Sequence, residues 1–227
     1  MCIEIIATCI ADVETSVAAG VDRIELVSAL TQGGLTPSFA LMEEAVRVAK
    51  SVPVMVMIRP HAMSFVLMPD DIRVMEKEIQ IAKKIGAAGI VLGGITAAGE
   101  IDTELLDRLL PLTDGLMVTF HKAFDRTRNV YEALDVILKY PQITRILTSG
   151  GMESVIENMP VLKELRKRAG GNVSLLPGGE MALSDISAIR IAEISTEIHL
   201  GLQVREKNDA RQKIDAEKIK QAIALWK

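Results

Sequence analysis

Cysteine is scarce in this chain: Cys2 and Cys9 are the only two in 227 residues. They are too few and too close together for a disulfide framework, which predicts reduced thiols in a cytoplasmic protein. Aromatics are thin as well, with four Phe, two Tyr and one Trp, and the formal net charge is −4 with both signs interspersed. Nucleic-acid binding draws on phosphate-neutralising cations and often on stacking rings, so no nucleic-acid partner is expected. A basic stretch followed by an apolar one is missing from the first residues, which predicts no signal peptide. The uncharged stretch 85–99 is too short to cross a bilayer and holds five glycines, so no membrane partner is expected either. HxH, CxxC and HExxH spacings are absent, as is a serine nucleophile elbow.

What the chain does have is alternation. Eight short apolar runs recur at nearly even spacing: 3–7, 23–26, 54–58, 89–92, 116–120, 145–148, 173–176 and 196–200. Stretches of helical periodicity separate them. After the third run, Ile72, Met75, Ile79 and Ala82 form one apolar stripe; Pro69 and Asp70 suit the start of that helix and Gly86 its end. Asp12, Pro37, Asp102, Asn129, Ser154, Ser184 and Asp215 are expected to open or cap the other helices. Strand then helix, eight times over, predicts a single-domain (β/α)8 TIM-type barrel over residues 1–227. Residues 203–227 are expected to form a C-terminal arm and the last helix.

Such barrels carry their chemistry at the carboxyl ends of the strands. Side chains alternate across a strand, so parity sorts each run into lumen-facing and helix-facing sets. It sends Met55, Met57 and Arg59 inward from the third run, Met117, Thr119 and His121 from the fifth, Glu197 and His199 from the eighth, and Arg23 and Glu25 from the second. Glu4 shares its side of the first run with Ile6 and Thr8. Barrel interiors are ordinarily filled by Val, Ile and Leu, and isolated buried charges cost several kcal/mol. An internal Glu–Arg–His network lining a wet cavity is therefore expected.

The densest functional cluster is 119–125, where His121, Lys122 and Asp125 follow one strand. His121 is a candidate general acid–base, with Glu4, Glu25 and Asp125 as candidate catalytic carboxylates. Parity turns Lys122 away from His121. Arg59 suits bidentate capture of a carboxylate or phosphate, or alternatively neutralises Glu4 or Glu25. Ser28, Thr148, Ser149, Gly150, Gly178, Gly179 and His199 are candidate substrate-binding residues, the glycines through backbone amides that could cradle a phosphate. These residues favour an enzyme acting on a small anion, phosphorylated or not.

Several stretches also resemble the CutC family of copper homeostasis proteins: Asp22-Arg23-Ile24-Glu25-Leu26, 33–38, 53–60, Val118-Thr119-Phe120-His121, Ala123-Phe124-Asp125, 146–150 and Pro177-Gly178-Gly179. The resemblance runs over residues 3–200, in order. It implies a cytoplasmic, often oligomeric barrel that handles and binds copper, so the partner is a metal ion or a small anion and a homo-oligomer is expected. Family members often carry cysteine, a proposed Cu(I) ligand, where this chain has Ile6 and Val27. Cys9 is then the candidate metal ligand. The family's His-Arg pair is His121-Lys122 here, and Gly201 stands where a serine is usual.

Overall fold

The computed structural model describes residues 1–227. Eight strands alternate with eight helices: β1 (Cys2–Ala7), α1 (Ile10–Ala19), β2 (Arg23–Leu26), α2 (Phe39–Ala49), β3 (Val54–Met57), α3 (Pro69–Lys84), β4 (Gly89–Leu92), α4 (Thr103–Leu109), β5 (Met117–Phe120), α5 (Val130–Ile137), β6 (Ile143–Thr148), α6 (Met159–Ala169), β7 (Ser174–Pro177), α7 (Ile186–Ile191), β8 (Glu197–Leu200) and α8 (Ala216–Trp226). All paired strands are parallel and run β7-β6-β5-β4-β3-β2-β1-β8. This is the expected barrel, nearly closed. β7 and β8 stand side by side without a ladder, linked instead by Ser195, whose hydroxyl donates to the Leu175 carbonyl.

Two apolar cores follow from strand alternation. The larger lies between strands and helices and includes Ile3, Ile5, Ile24, Val56, Ile90 and Phe120. The smaller sits inside the barrel and is built on Val27, Met55, Met57 and Val91. The Ile72–Ala82 stripe of α3 is buried as expected, and the Asp71 carboxylate accepts the Met68 amide at 2.8 Å, closing the first turn. No helix is long and apolar enough to cross a membrane.

Local signals missed in places. Asp102, Asn129 and Asp215 do cap helices. Ser38, not Pro37, caps α2, accepting the Leu41 amide at 3.3 Å. Asp12 lies inside the first turn of α1; its carboxylate accepts from the Thr8 amide and hydroxyl at 2.9 and 2.8 Å. Ser154 precedes a separate turn before α6, and Ser184 lies within a 3-10 turn before α7. Residues 203–227 are no detached arm. The last of them form α8, which packs against α1 and α7 as the eighth barrel helix, with Trp226 fully buried.

Candidate functional site

The lumen floor is a charged network carried by alternate residues of β1, β2, β6 and β8. Arg23 pairs with both Glu4 and Glu197, the latter at 2.5 Å. Arg145, inward-facing on β6, reaches the same Glu197 oxygen at 2.6 Å and donates to the Thr119 hydroxyl at 3.3 Å. His199 Nδ1 donates to Glu4 at 2.7 Å, which turns Nε2 toward Glu25, 3.6 Å away. Acids and bases alternate, so each buried charge has an opposite neighbour.

Glu25, His199 and Glu4 of this network all titrate abnormally. Burial pushes the Glu25 carboxyl up to about 7, more than nearby His199 and Arg23 can offset. Its Oε1 is buried with no hydrogen-bond partner. Burial alone would lower His199, but Glu25 and Glu4 outweigh it and raise the imidazole above its ordinary value. Glu4 is the converse: burial opposes its charge, yet Arg23 and His199 hold it well below the usual carboxylate range.

Above the floor opens a cavity of about 780 Å³ at the carboxyl ends of the strands. Its lining includes Glu25, Arg59, His121, His199 and Gly179, all expected from the sequence, together with apolar Ile6, Met57, Phe65 and Leu147. Arg59 is 7% exposed and has no acidic partner. Its Nη1 donates only to the Gln32 and Gly34 carbonyls, at 3.0 and 3.1 Å, and its buried Nε has no partner. The guanidinium lies 4.5 Å above the Phe65 ring. Of the two sequence readings for Arg59, neutralisation of Glu4 or Glu25 fails: Arg23 pairs with Glu4, and His199 stands beside Glu25. Burial without a counter-charge lowers the Arg59 pKa.

His121 faces Phe65 with ring centres 5.1 Å apart. Burial, then the nearby Arg59 charge, pushes its imidazole down to about 3, so the ring is neutral at physiological pH. Its Nδ1 accepts the Ala123 amide at 3.2 Å. The proton therefore sits on Nε2, a buried donor with no partner. Arg59, Gly93 and His121 each stand two residues beyond the register-paired Met57, Val91 and Thr119, level around the rim. Gly93 is required between them, since a Cβ there would come within 2.6 Å of the His121 ring.

The remaining candidates are elsewhere. Glu4 lies beneath the cavity as the partner of His199 and Arg23. Asp125, Thr148, Ser149 and Gly150 form a knot behind the wall: the Asp125 carboxylate accepts from both hydroxyls and from the Ser149 amide at 2.9 Å, and pairs with Lys122 at 2.8 Å. Ser28 donates to the Thr36 carbonyl at 2.9 Å, pinning the β2–α2 loop. Gly178 permits close packing, because a Cβ would lie 2.9 Å from His199. Cys9 is exposed and precedes α1. Phe65, Gln203 and Lys218 line the cavity without having been anticipated; strand parity reaches none of them, since all three lie outside strands.

Copper(I) favours soft sulfur ligands. Cys2 and Cys9 sit at opposite ends of β1, and burial pushes the Cys2 thiol up to about 11, which keeps it protonated. The one cluster of three metal-capable groups is Glu4, Glu25 and His199, whose donor atoms lie within 4.8 Å of one another. These are hard oxygen and nitrogen donors, already engaged with each other and with Arg23. The residues present do not fit a thiolate copper site.

Comparison with known proteins places this geometry in a lineage. The family model described as CutC family matches residues 1–204. A human relative, the copper homeostasis protein cutC homolog, is 39% identical over 194 residues, covering 84% of this chain and 70% of its own. A crystal structure carrying the name of the copper homeostasis protein CutC, from Streptococcus agalactiae, superposes with a TM-score of 0.83 at 32% identity, covering 88% of this chain and 98% of that one. A phosphoribosylanthranilate isomerase from Thermotoga maritima superposes at a TM-score of 0.67 with 15% identity, covering 100% of this chain and 98% of its own, and shares the fold alone.

Proposed function

This chain belongs to the CutC family, and from that premise we propose that its barrel mouth binds a small organic anion and acts on it by acid–base chemistry. Arg59 carries the reading. A buried guanidinium without a carboxylate, opening on a large cavity, is costly in the free protein and becomes favourable when an anion supplies the missing charge. Glu25 and His199 supply the acid–base pair on the floor, and the apolar wall accepts the body of the ligand.

Copper homeostasis, named in the relatives, is the second reading, and kinship is what supports it. It would make the chain a cytoplasmic copper-handling protein, in keeping with two unpaired thiols. The donor chemistry favours the anion.

Calorimetric titration separates the two. Acetate, inorganic phosphate and pyruvate are the anion probes, and Cu(I) under reducing conditions is the metal probe. We expect an anion to bind, and Arg59→Met to weaken it by about tenfold or more, the worth of one lost charge-assisted bond. Binding unchanged in Arg59→Met, or stoichiometric Cu(I) uptake lost in Cys2→Ser/Cys9→Ser with no anion bound, overturns the anion reading.

A further inference from the structure

Three residues that line this cavity each carry a buried polar atom with no hydrogen-bond partner: Arg59 Nε, His121 Nε2 and Glu25 Oε1. Two of them, Arg59 and His121, are neighbours on the rim with the side-chain-free Gly93 between. Glu25 lies deeper, on the floor beside His199. A ligand satisfying all three carries a carboxylate next to a carbonyl oxygen, with an acidic carbon–hydrogen bond one atom further on. Building on the anion-site reading above, we propose that this protein enolises a 2-oxo carboxylate: Arg59 holds the carboxylate, His121 Nε2–H donates to the keto oxygen, and Glu25 removes a proton from the adjacent carbon.

The step balances without a co-reactant. The Glu25 carboxylate takes the proton. The carbon–hydrogen pair becomes the carbon–carbon double bond, and the carbonyl pair moves onto oxygen as an enolate. Glu25 then returns the proton to carbon. A neutral imidazole suits the oxygen better than a charged one, because its pKa is nearer that of the enolate it must support; triosephosphate isomerase polarises its substrate carbonyl with a neutral histidine in the same way. The Ala123 amide fixes the His121 tautomer, so Nε2 already carries the proton before substrate arrives. A base is most effective when its pKa lies near working pH, which is where burial holds Glu25.

The occupant is a carboxylate rather than a phosphate on charge grounds. Arg59 is unpaired, whereas Lys122 at the rim pairs with Asp125 at 2.8 Å. Lys218 is spent on the Arg205 carbonyl at 2.7 Å and Asn208 at 2.8 Å. One free guanidinium and one neutral donor match a planar monoanion with a keto group. Met57, Phe65, Ile6 and Leu147 favour an apolar substituent beyond the reacting carbon.

The test follows hydrogen exchange at that carbon by proton NMR in heavy water. Pyruvate, 2-oxobutanoate, 4-methyl-2-oxopentanoate and phenylpyruvate are the probes. Exchange should exceed buffer by about 100-fold for at least one probe, and Glu25→Gln should abolish that gain while holding affinity within about threefold. Nitrogen NMR of the wild-type protein should show His121 neutral and protonated on Nε2 from about pH 5 to 8. Probes that bind without exchanging overturn enolisation and leave the anion site standing. Probes that do not bind strike the anion site itself. A His121 protonated on Nδ1, or charged, overturns the proposal whatever the exchange result.

Discussion

Glu25 faces His199 at 3.6 Å, with Glu4 and Arg23 as its other charged neighbours. Its folded pKa of about 7 lies above its ordinary 4.5, so between those values the folded protein holds a proton that the unfolded chain releases. Stability then falls as pH rises through that window, since the slope follows protons bound unfolded minus protons bound folded. His199, also raised, acts in the same direction above its ordinary 6.5. Glu4 acts oppositely: its depressed pKa stabilises the fold above 4.5 and loses that contribution as acid protonates it. Glu25→Gln removes the first effect. Relative to wild type, that variant should gain on the order of 2 kcal/mol in urea-unfolding free energy between about pH 5 and pH 8. A wild-type-to-variant difference constant across that range would show an ordinary, solvated carboxylate. These groups were legible because parity is a strict rule within a strand and carries one or two residues past its end: it put Glu4, Glu25 and His199 on the lumen side within strands, and Arg59 and His121 just beyond β3 and β5. Asp125, Thr148 and Ser149 were read for their chemistry alone. The turn after β5 sends Asp125 into the next loop, where it organises backbone instead of meeting the cavity.

At the scale of elements, the polar segment between β8 and α8 shows what local pattern misses. Arg205 is 1% exposed. It reaches the Asp12 carboxylate at 2.7 Å and the Gln212 carbonyl at 2.7 Å, tying the segment to the first turn of α1. The segment's buried polar side chains, Gln203 and Arg205, bond inward, whereas Lys207, Asn208, Arg211 and Lys213 are exposed. Asp12, expected as a cap, is held for this pair, and its partner is 193 residues away in sequence, beyond the reach of any local signal. Removing one member of a buried pair strands the other. Arg205→Ala should cost about 3–5 kcal/mol in urea unfolding, whereas Arg168→Ala, which breaks an exposed pair on α6, should cost less than about 0.5. Replacing both partners with Asp12→Asn/Arg205→Met should recover part of the loss. Equal costs for the two single variants would mean that Arg205 is hydrated and does not fasten the segment.

Across the whole molecule, seven of the eight strand junctions are ladders and the eighth is not. Even apolar spacing in sequence announces eight strands, but it carries no information about which junction stays open. At that seam Gln203 replaces the missing backbone bonds. Its Oε1 accepts the Gly201 amide at 2.9 Å, and its Nε2 donates to the Gly179 and Met181 carbonyls at 2.8 and 3.2 Å. The clasp joins the loop after β7 to the loop after β8, and both line the cavity beside His199. A barrel fastened by one side chain at its mouth opens there first, because local unfolding follows the sparsest hydrogen bonding. Gln203→Ala leaves the buried Gly201 amide without a partner, a penalty of about 1–3 kcal/mol. Amide exchange at Gly201 and across 179–183 should therefore accelerate by about tenfold or more, while β3 and β4 on the far side keep their protection. Acceleration spread evenly around the ring would instead mean that the variant lowers global stability and that the seam is no weaker than the ladders. If the change stays local, the cavity that holds Arg59, His121 and Glu25 has its gate at the one junction where backbone hydrogen bonding stops.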